Sequence, residues 1–332
     1  MSPPPECLLV IGCGSIGERH VRSFLATGRT RIVACDTHAS TRGRIASAYG
    51  VPVVEDWELG LSDPAITAVL IATPAPLHVA IALRALASGR HVLIEKPLAL
   101  KLAGTDDLLR ARDQAGRFAA VAYVLHCAPA LVEARRFLQA GTFGPVRHAV
   151  IVSGQHFPSF RPAYRRIYYS DHAQGGGAIY DALTHSANAV EWILGPATRV
   201  FCDAAHQVLP DVVVEDTVNV TARHGDVLVS YALNQFQAPN EQRWDFHAKG
   251  GSVRIELSSG RWGTLARGAV DWTWHDASVP GRDHLYIAQA HAFLDGCAGQ
   301  PHPLCTLEEA IQTLRFNRAA HASWRTGCPT IP

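Results

Sequence analysis

The stretch "CLLVIGCGSIGERH", residues 7–20, decides the fold of the first part of the chain. An apolar run of strand length leads into a G-x-G-x-x-G pattern at Gly12, Gly14 and Gly17. Gly12 permits a tight turn, Gly14 lets the backbone approach a pyrophosphate, and Gly17 lets a helix pack closely on the strand. That helix offers free N–H groups and its positive dipole end to phosphates. The backbone positions predicted to face a dinucleotide are Gly12, Gly14, Ser15, Ile16 and Gly17.

Four further apolar runs of strand length follow, with helical patterns between them. The runs read "RIVACD", "AVLIAT", "HVLIEKP" and "FAAVAYV", and the helical patterns cover residues 16–25, 41–49, 76–88 and 102–115. Continuous apolar runs are typical of parallel strands that are covered on both faces. Strand and helix in alternation predict an α/β doubly wound sheet, so residues 1–124 are expected to form a Rossmann dinucleotide-binding domain.

Residues 125–332 have a different pattern and predict a second domain. In "VNVTARHGDVLVSYALNQF", residues 218–236, apolar and polar residues alternate, as in antiparallel strands with one packed face. We expect an α+β domain built on a large, mainly antiparallel open sheet that binds substrate and mediates oligomerisation. The last segment, residues 285–325, returns to helical spacing and can pack on either domain. Its C-terminal helix, at about residues 306–326, can pack back on the Rossmann domain.

Composition narrows the class of protein. Of 332 residues, 30 are Lys or Arg and 29 are Asp or Glu, so there is no basic field for nucleic acid. No apolar run approaches the roughly 20 residues of a membrane span, and "MSPPPECLLVIG" has no basic region or cleavage site. We therefore expect a cytoplasmic protein without membrane partners. Eight scattered cysteines without a C-x-x-C pattern are expected to be reduced thiols, mostly in the core.

Asp36 ends the second predicted strand, 19 residues after Gly17. A carboxylate there accepts both adenosine ribose hydroxyls and repels a 2′-phosphate, which favours NAD(H) over NADP(H). Arg42 and Arg44 follow closely and could partly offset that charge. The alternative is that Asp36 only caps a loop.

Lys96 stands at the end of a later strand, in the triplet Glu95, Lys96 and Pro97. Strand ends of such a sheet surround the cofactor crevice, so the Lys96 side chain is expected to reach the nicotinamide or the substrate. The alternative is a solvated lysine paired with Glu95.

The stretch "GGGAIYDALTHSANAVEWILG", residues 175–195, carries Asp181 and His185 four positions apart on one helix face. An imidazole has the pKa suited to removing a hydroxyl proton near neutrality, and a neighbouring carboxylate can orient it and stabilise its cation. A purely structural hydrogen bond in a core helix is the alternative. Metal binding is not expected, because no other ligand cluster accompanies the pair.

These segments together resemble the Gfo/Idh/MocA family, the glucose-fructose oxidoreductase and inositol dehydrogenase relatives. The resemblance rests on "IATPAPLHVAIALRALASGRHVLIEKPLAL" (residues 71–100), on the glycine-led helix, and on the closing "FNRAAHASWRTGCPTIP". It implies hydride transfer between a carbinol carbon and NAD, with Lys96, Asp181 and His185 as the catalytic residues. In the family pattern Glu95 approaches the cofactor ribose, while Lys96 contacts substrate and tunes the acid–base group. The further cofactor residues implied are Thr73, Pro74, His78, Glu95 and Lys96.

The substrate side departs from the family pattern. Many relatives carry an arginine where this chain has His126, which can still donate a hydrogen bond. Tyr123 is expected to line the pocket, with core packing as the alternative. The loop "FPSFRPAYRRIYYSDHAQGGG", residues 157–177, offers bidentate donors and aromatic faces for a sugar, a carboxylate or a nucleotide diphosphate. The substrate-binding residues predicted are Tyr123, His126, Arg161, Tyr164, Arg165, Tyr168, Asp181 and His185. A solvated basic loop or an oligomer contact is the alternative reading of that loop.

The sequence therefore predicts an NAD(H)-dependent dehydrogenase or reductase for a small polyhydroxylated substrate: a sugar, cyclitol, sugar acid or nucleotide sugar. One alternative is a glycoside-cleaving relative that oxidises a sugar, eliminates the aglycone and regenerates NAD⁺. Another is a non-catalytic sensor of NAD or sugar. An open sheet invites pairing between subunits, and relatives commonly pair in this way, so a homodimer or homotetramer through the second domain is expected.

Overall fold

A computed structural model describes residues 7–279, 281 and 283–332, and the chain forms two compact units. The first comprises Met1–Cys127 and Pro280–Ile311, and the second comprises Ala128–Val279 and Gln312–Pro332. The first boundary lies three residues beyond the predicted end at 124. The prediction that everything from residue 125 belongs to one domain needs correction, because the chain returns to the first unit at 280–311.

The first unit is built on a six-stranded sheet whose paired strands are all parallel, in the order β3-β2-β1-β4-β5-β6. Its strands are β1 Cys7–Ile11, β2 Arg31–Cys35, β3 Val53–Val54, β4 Ala68–Ile71, β5 His91–Ile94 and β6 Ala119–Val121. Strands β1, β4 and β5 are buried along their whole length, as continuous apolar runs predict. The doubly wound Rossmann architecture is confirmed.

The helices of this unit are α1 Ser15–Thr27, α2 Ala39–Tyr49, α3 Trp57–Ser62, α4 His78–Ala87, α5 Thr105–Ala115 and α9 His284–Cys297. Helix α9 is the late segment that packs on the parallel sheet's helices: Phe293 meets Phe24 of α1 edge to face, with ring centroids 6.0 Å apart. The final helix, α10 Leu307–Thr326, has only its first residues in this unit. The expected helix at 306–326 is therefore present, but α9 supplies the packing on α1.

The second unit is built on an eight-stranded sheet in the order β14-β13-β12-β11-β7-β10-β9-β8. Its strands are β7 Val146–His156, β8 Arg199–Ala205, β9 Thr217–His224, β10 Val227–Asn234, β11 Phe236–Ala248, β12 Gly251–Glu256, β13 Arg261–Ala266 and β14 Thr273–Asp276. Strands β7 and β10 pair in parallel, and every other neighbouring pair is antiparallel. The prediction of a large, mainly antiparallel sheet is confirmed.

This second sheet has one packed face and one open face. Alternate residues of β9 and β10 are buried, among them Val220 and Tyr231, while Asn219 and Ala232 between them are exposed. The remaining helices of the unit are α6 Pro129–Gln139, α7 Phe157–Phe160, α8 Thr184–Leu194 and the greater part of α10. Helix α6 packs on β13, where the Trp262 indole donates to the Glu133 carboxylate at 2.9 Å.

Candidate active site

The glycine turn after β1 has the geometry that its three glycines predict. Gly12 has a positive φ of +85°, and a Cβ there would lie 2.7 Å from the Ala72 carbonyl oxygen. A Cβ on Gly17 would lie 1.8 Å from the carbonyl oxygen of Gly12, so helix α1 can approach the turn only through glycine. At Gly14 a Cβ would meet no atom within 4 Å, and no side chain caps the helix that begins at Ser15. The turn thus leaves open space beside uncapped N–H groups, which fits a pyrophosphate.

Asp36 lies directly beside this turn. One carboxylate oxygen accepts the backbone N–H of Cys13 at 2.9 Å, and the other accepts that of His38 at 2.9 Å. The side chain therefore braces the glycine turn and caps its own loop, and both readings of Asp36 have a structural basis. Its carboxylate stays partly accessible, with 12% of the side chain exposed.

Arg42 and Arg44, which could offset the charge of Asp36, are both held by acidic partners. The Arg42 guanidinium pairs with Glu55 at 2.9 Å. Arg44 pairs with Glu18 and donates to the Cys13 carbonyl at 3.2 Å. Because each guanidinium is compensated, neither is left as an unpaired cation for a 2′-phosphate, which agrees with a preference for NAD(H).

Thr73, Pro74 and His78 lie between the end of β4 and the first residue of α4. Thr73 Oγ1 is buried and lacks a hydrogen-bond partner within the described part of the chain, which suits a ligand contact. Pro74 is exposed and precedes a short 3₁₀ turn, Ala75–Leu77. His78 is 1% exposed, and its two ring nitrogens lie 2.8 Å and 3.0 Å from the carbonyl oxygens of Thr73 and Pro97. We therefore correct the predicted cofactor contact of His78 to an indirect one: it ties the two strand ends together.

Glu95 forms a buried pair with His20 of α1, 2.6 Å between Oε1 and Nε2. Its other oxygen accepts the Lys96 backbone N–H at 3.0 Å. Burial disfavours the charged carboxylate, but the His20 hydrogen bond and the charges of His20 and Lys96 outweigh it, so the pKa of Glu95 lies below its usual value. Both carboxylate oxygens of Glu95 therefore form hydrogen bonds within the first unit. These bonds fix the backbone immediately before Lys96. Contact of Glu95 with the ribose stays a prediction.

Tyr123 and His126 follow β6 and are both buried. The His126 Nδ1 lies 2.9 Å from the Pro303 carbonyl oxygen in the chain between α9 and α10, which fixes the orientation of the ring. Their predicted contacts with substrate stay predictions.

In the second unit, Asp181 lies in a π-helical turn, Ile179–Leu183, that leads directly into α8. Insertions of this kind are rare and occur frequently at functional sites. Asp181 is 9% exposed, and the Tyr168 hydroxyl donates to its Oδ1 at 2.5 Å. His185 is half-buried in the first turn of α8. The structure therefore joins two predicted residues, Tyr168 and Asp181, that are 13 positions apart.

Glu215 is a residue of this site that sequence reasoning missed. It is 1% exposed, and its Oε1 accepts the Ile179 N–H at 2.9 Å while Oε2 lies 2.6 Å from the His172 ring. Its backbone carbonyl accepts the Ala178 N–H at 2.9 Å. Glu215 therefore fixes the turn that carries Asp181. The signal in the sequence is "VEDT", two adjacent carboxylates directly before the alternating pattern of β9.

The glycines before this turn pack against protein atoms. A Cβ on Gly176 would lie 2.3 Å from the Tyr169 carbonyl oxygen, and one on Gly177 would lie 2.4 Å from Glu215 Oε2. Gly177 also has a positive φ of +88°. These two glycines are required because the loop, Glu215 and the helix start meet here.

Three other predicted residues of the 157–177 loop have different surroundings. Tyr164 is 2% exposed and its hydroxyl donates to the Pro210 carbonyl at 3.0 Å, so we correct it from a substrate contact to a core residue. Arg165 pairs with Asp211 at 3.2 Å and lies over the Tyr164 ring. Arg161 is half-buried, and its substrate contact stays a prediction.

Helix α8 is anchored behind the site by a polar cluster. Asn188 donates to Thr313 Oγ1 at 3.1 Å, and the Thr313 hydroxyl donates to Glu191 at 2.8 Å. Burial raises the pKa of Glu191 to about 7, against the opposing hydrogen bond from Thr313.

Within residues 7–279, 281 and 283–332, no group of three or more His, Cys, Asp or Glu side chains could hold a metal ion. None of the helices in those same ranges has both the length and the apolar character needed to cross a bilayer.

The sequence matches two models of one family. Residues 8–123 match "Oxidoreductase family, NAD-binding Rossmann fold", and residues 131–254 match "GFO/IDH/MocA C-terminal domain". The two regions coincide with the parallel sheet and with most of the open sheet.

Characterised relatives resemble part of the chain. It is 29% identical over 194 residues to inositol 2-dehydrogenase of Acidothermus cellulolyticus, covering 57% of this chain and 54% of that protein. It is 31% identical over 193 residues to dTDP-3,4-didehydro-2,6-dideoxy-alpha-D-glucose 3-reductase of Streptomyces violaceoruber, covering 58% and 55%. The chain thus spans about half the length of the curated relatives it matches. Its fold resembles that of levoglucosan dehydrogenase in complex with NADH and levoglucosan, with a TM-score of 0.87, 19% identity and 98% of both chains covered.

Proposed function

The chain belongs to the Gfo/Idh/MocA oxidoreductase family, and its first unit is an NAD-binding Rossmann domain. From that premise we propose that it is an NAD(H)-dependent dehydrogenase or reductase. The reaction is transfer of hydride between a carbinol carbon and nicotinamide C4. The substrate is a small polyhydroxylated compound: a sugar, cyclitol, sugar acid or nucleotide sugar.

The observation that carries this proposal is the start of the helix in the second unit. Asp181 is buried in a π-helical turn and accepts a hydrogen bond from Tyr168, while His185 follows four positions later in α8. A fixed carboxylate near an imidazole that stays partly accessible is the arrangement that general acid–base catalysis needs. A purely structural pair would not require the rare π turn or the clamp by Glu215.

His185, Asp181 and Lys96 each have a separate role in the proposed reaction. Bound NAD⁺ supplies the two-electron acceptor for the hydride. As the hydride leaves the carbinol carbon, His185 takes the hydroxyl proton, so the alcohol becomes a carbonyl compound. Asp181 stabilises the imidazolium, and Lys96 donates a hydrogen bond to the reacting oxygen. The reverse sequence reduces the carbonyl.

The class of substrate is supported by what the relatives are named for. They are named as a dehydrogenase of inositol, a reductase of a dTDP-linked glucose derivative and a dehydrogenase of levoglucosan. Nothing in the described residues selects one member of this class, so the panel for the assay has to sample each group.

The test is formation of NADH from NAD⁺ by the purified protein, followed by absorbance, across a panel. The panel contains myo-inositol, levoglucosan, free sugars, sugar acids and dTDP- and UDP-sugars. With the best substrate we expect Lys96→Ala and His185→Ala to lower kcat by about 100-fold or more. Matched controls are Lys101→Ala and His156→Ala, which alter exposed residues and should leave kcat unchanged.

Three results would overturn the proposal. One is the absence of any NADH formation across the panel when NADH binding is intact. Another is retention of full activity by both Lys96→Ala and His185→Ala. The third is substrate turnover without net NADH, which indicates oxidation and elimination with recycling of the cofactor.

We further propose that subunits pair through the open face of the eight-stranded sheet. Val150 and Val152 of β7 and Ala232 of β10 lie at its centre and are not fully buried. Covering such a face in a homo-oligomer removes apolar area from water. Sedimentation velocity tests this: Val150→Arg should dissociate the oligomer, and a wild-type protein that sediments as a monomer would exclude it.

A further inference from the structure

Tyr168, in the loop before the acid–base helix, forms a hydrogen bond with the start of that helix. Tyr168 is 41% exposed, whereas Asp181, whose Oδ1 accepts a hydrogen bond from the Tyr168 hydroxyl at 2.5 Å, is 9% exposed. A hydrogen bond to a carboxylate is charge-assisted, and this one satisfies an oxygen that is shielded from water. The hydroxyl of a half-exposed tyrosine thus donates a hydrogen bond to a buried carboxylate.

The neighbouring backbone holds Tyr168 in this position. Its neighbour Tyr169 is 0% exposed and packs against Phe157, with ring centroids 4.5 Å apart. The Tyr169 carbonyl accepts the Gly177 N–H at 3.0 Å, and Gly176 passes so close that a Cβ would overlap both tyrosine carbonyls. Since the main chain on either side is fixed, the phenol is presented to Asp181 by a rigid support.

Resting on the proposed roles of Asp181 and His185, we propose that Tyr168 is a positioning residue of this acid–base pair. Its hydroxyl fixes one oxygen of Asp181 and shares part of the carboxylate charge. This limits how strongly Asp181 stabilises the cation of His185, and so sets how readily His185 returns its proton. The predicted contact of Tyr168 with substrate is not needed for this role.

Tyr164 offers a matched control in the same loop. Its hydroxyl also donates one hydrogen bond, but to the Pro210 carbonyl, on the side of the loop that faces the buried cluster of Phe157 and Leu209. Tyr164→Phe and Tyr168→Phe therefore remove the same atom from the same loop. Only Tyr168→Phe removes a donor from Asp181.

The decisive measurement needs no substrate. Protein labelled with [¹⁵N]histidine is titrated by NMR, and the His185 signal is identified by its absence in His185→Gln. In Tyr168→Phe the titration midpoint of His185 should rise by about 0.5 unit, a fraction of what a hydrogen bond to a carboxylate is worth. In Tyr164→Phe it should stay within about 0.1 unit of wild type, since its lost bond lies elsewhere. The nearby groups Glu215, Asp216, Tyr169 and His172 are the same in every variant.

A double-mutant comparison separates action through Asp181 from any other route. In the Asp181→Asn background, adding Tyr168→Phe should leave the His185 midpoint unchanged, because the carboxylate is gone. The inference is overturned if Tyr168→Phe alone has no effect, if Tyr164→Phe matches it, or if the effect persists in the Asp181→Asn background.

Kinetics then distinguish this inference from the proposed function. With the best panel substrate, Tyr168→Phe should lower kcat about tenfold while KM and the Kd for NADH change less than about twofold, as for a group that acts on the chemical step. If His185→Ala abolishes activity but Tyr168→Phe is like wild type in both assays, only the role of Tyr168 fails. If His185→Ala retains full activity, the proposed function fails.

Discussion

Substituting Gly177 by alanine tests whether the glycine run exists for packing around Glu215. Gly177 has a φ of +88°, and its Cβ would lie 2.4 Å and 2.5 Å from the two oxygens of Glu215. That carboxylate is immobile, because it bonds the His172 ring at 2.6 Å and the Ile179 N–H at 2.9 Å. The new methyl group can be accommodated only if the carboxylate moves and at least one of these bonds breaks.

The expected loss of stability has two parts. An L-residue with positive φ costs about 1–2 kcal/mol, and losing a hydrogen bond to a buried carboxylate costs about 1.5–3 kcal/mol. Together they give about 2.5–5 kcal/mol, which lowers Tm by roughly 10 °C in a unit of this size. The control is Gly225→Ala, in the turn between β9 and β10, where φ is +57° and a Cβ would meet no atom within 4 Å. Gly225→Ala should therefore show only the loss of stability that comes from the positive φ.

Calorimetry of the purified variants measures both changes in the second unit. A double variant, Gly177→Ala with Glu215→Ala, removes the colliding carboxylate and should lose less stability than the sum of the single variants. The reasoning is refuted if Gly177→Ala is no more destabilising than Gly225→Ala, or if the double variant is simply additive.

Three further results are expected. Glu18→Gln releases the Arg44 guanidinium beside the glycine turn, so NADPH should bind about fivefold more tightly and NADH unchanged, by fluorescence titration; no gain for NADPH would contradict this. Burial raises the pKa of Glu191 from 4.5 to about 7. The contribution of this carboxyl group to the free energy of unfolding is therefore fully present below pH 4.5 and is lost as pH rises through 7. Glu191→Gln should therefore match wild type near pH 5 and exceed it at pH 8 by about 3 kcal/mol in unfolding free energy, and equal stability at both pH values would refute the assignment. Of the eight free cysteines only Cys328 is exposed, so a thiol reagent should modify one group quickly in the native protein and none in Cys328→Ser.

The glycine turn of the first unit could be predicted from sequence because most of its determinants are local. Gly17 is required by the Gly12 carbonyl in the same turn, and Asp36 follows directly after the next strand. The Ala72 carbonyl, which leaves no room for a Cβ at Gly12, comes from a distant segment. Strand β3, Val53–Val54, is too short to give a periodic signal, so it was not predicted. Helix α9 has the expected helical pattern, but a pattern does not say which unit a helix joins.

The role of each polar side chain was less predictable than its presence. His78 and Tyr164 have the chemistry of ligand contacts, yet their polar atoms are used on the carbonyls of Thr73, Pro97 and Pro210. Those carbonyls come from other segments of the chain, and no spacing rule relates them to the side chains. Residue type therefore predicted which side chains could bind a ligand. Burial and internal hydrogen bonds determine which of those side chains are available to do so.

Glu215 shows why the polar cluster of the second unit was the hardest part to predict. It lies 36 positions from Ile179 and 43 from His172, so its partners become neighbours only when β9 is placed beside the helix start. A buried carboxylate without donors would be strongly unfavourable, and here the donors are the loop and the helix that the site needs to hold. The same carboxylate requires glycine at position 177. The glycines before the helix are thus explained by an acid in the segment that leads into β9. Asp181 is placed for its proposed chemistry by a residue that need not touch substrate or cofactor.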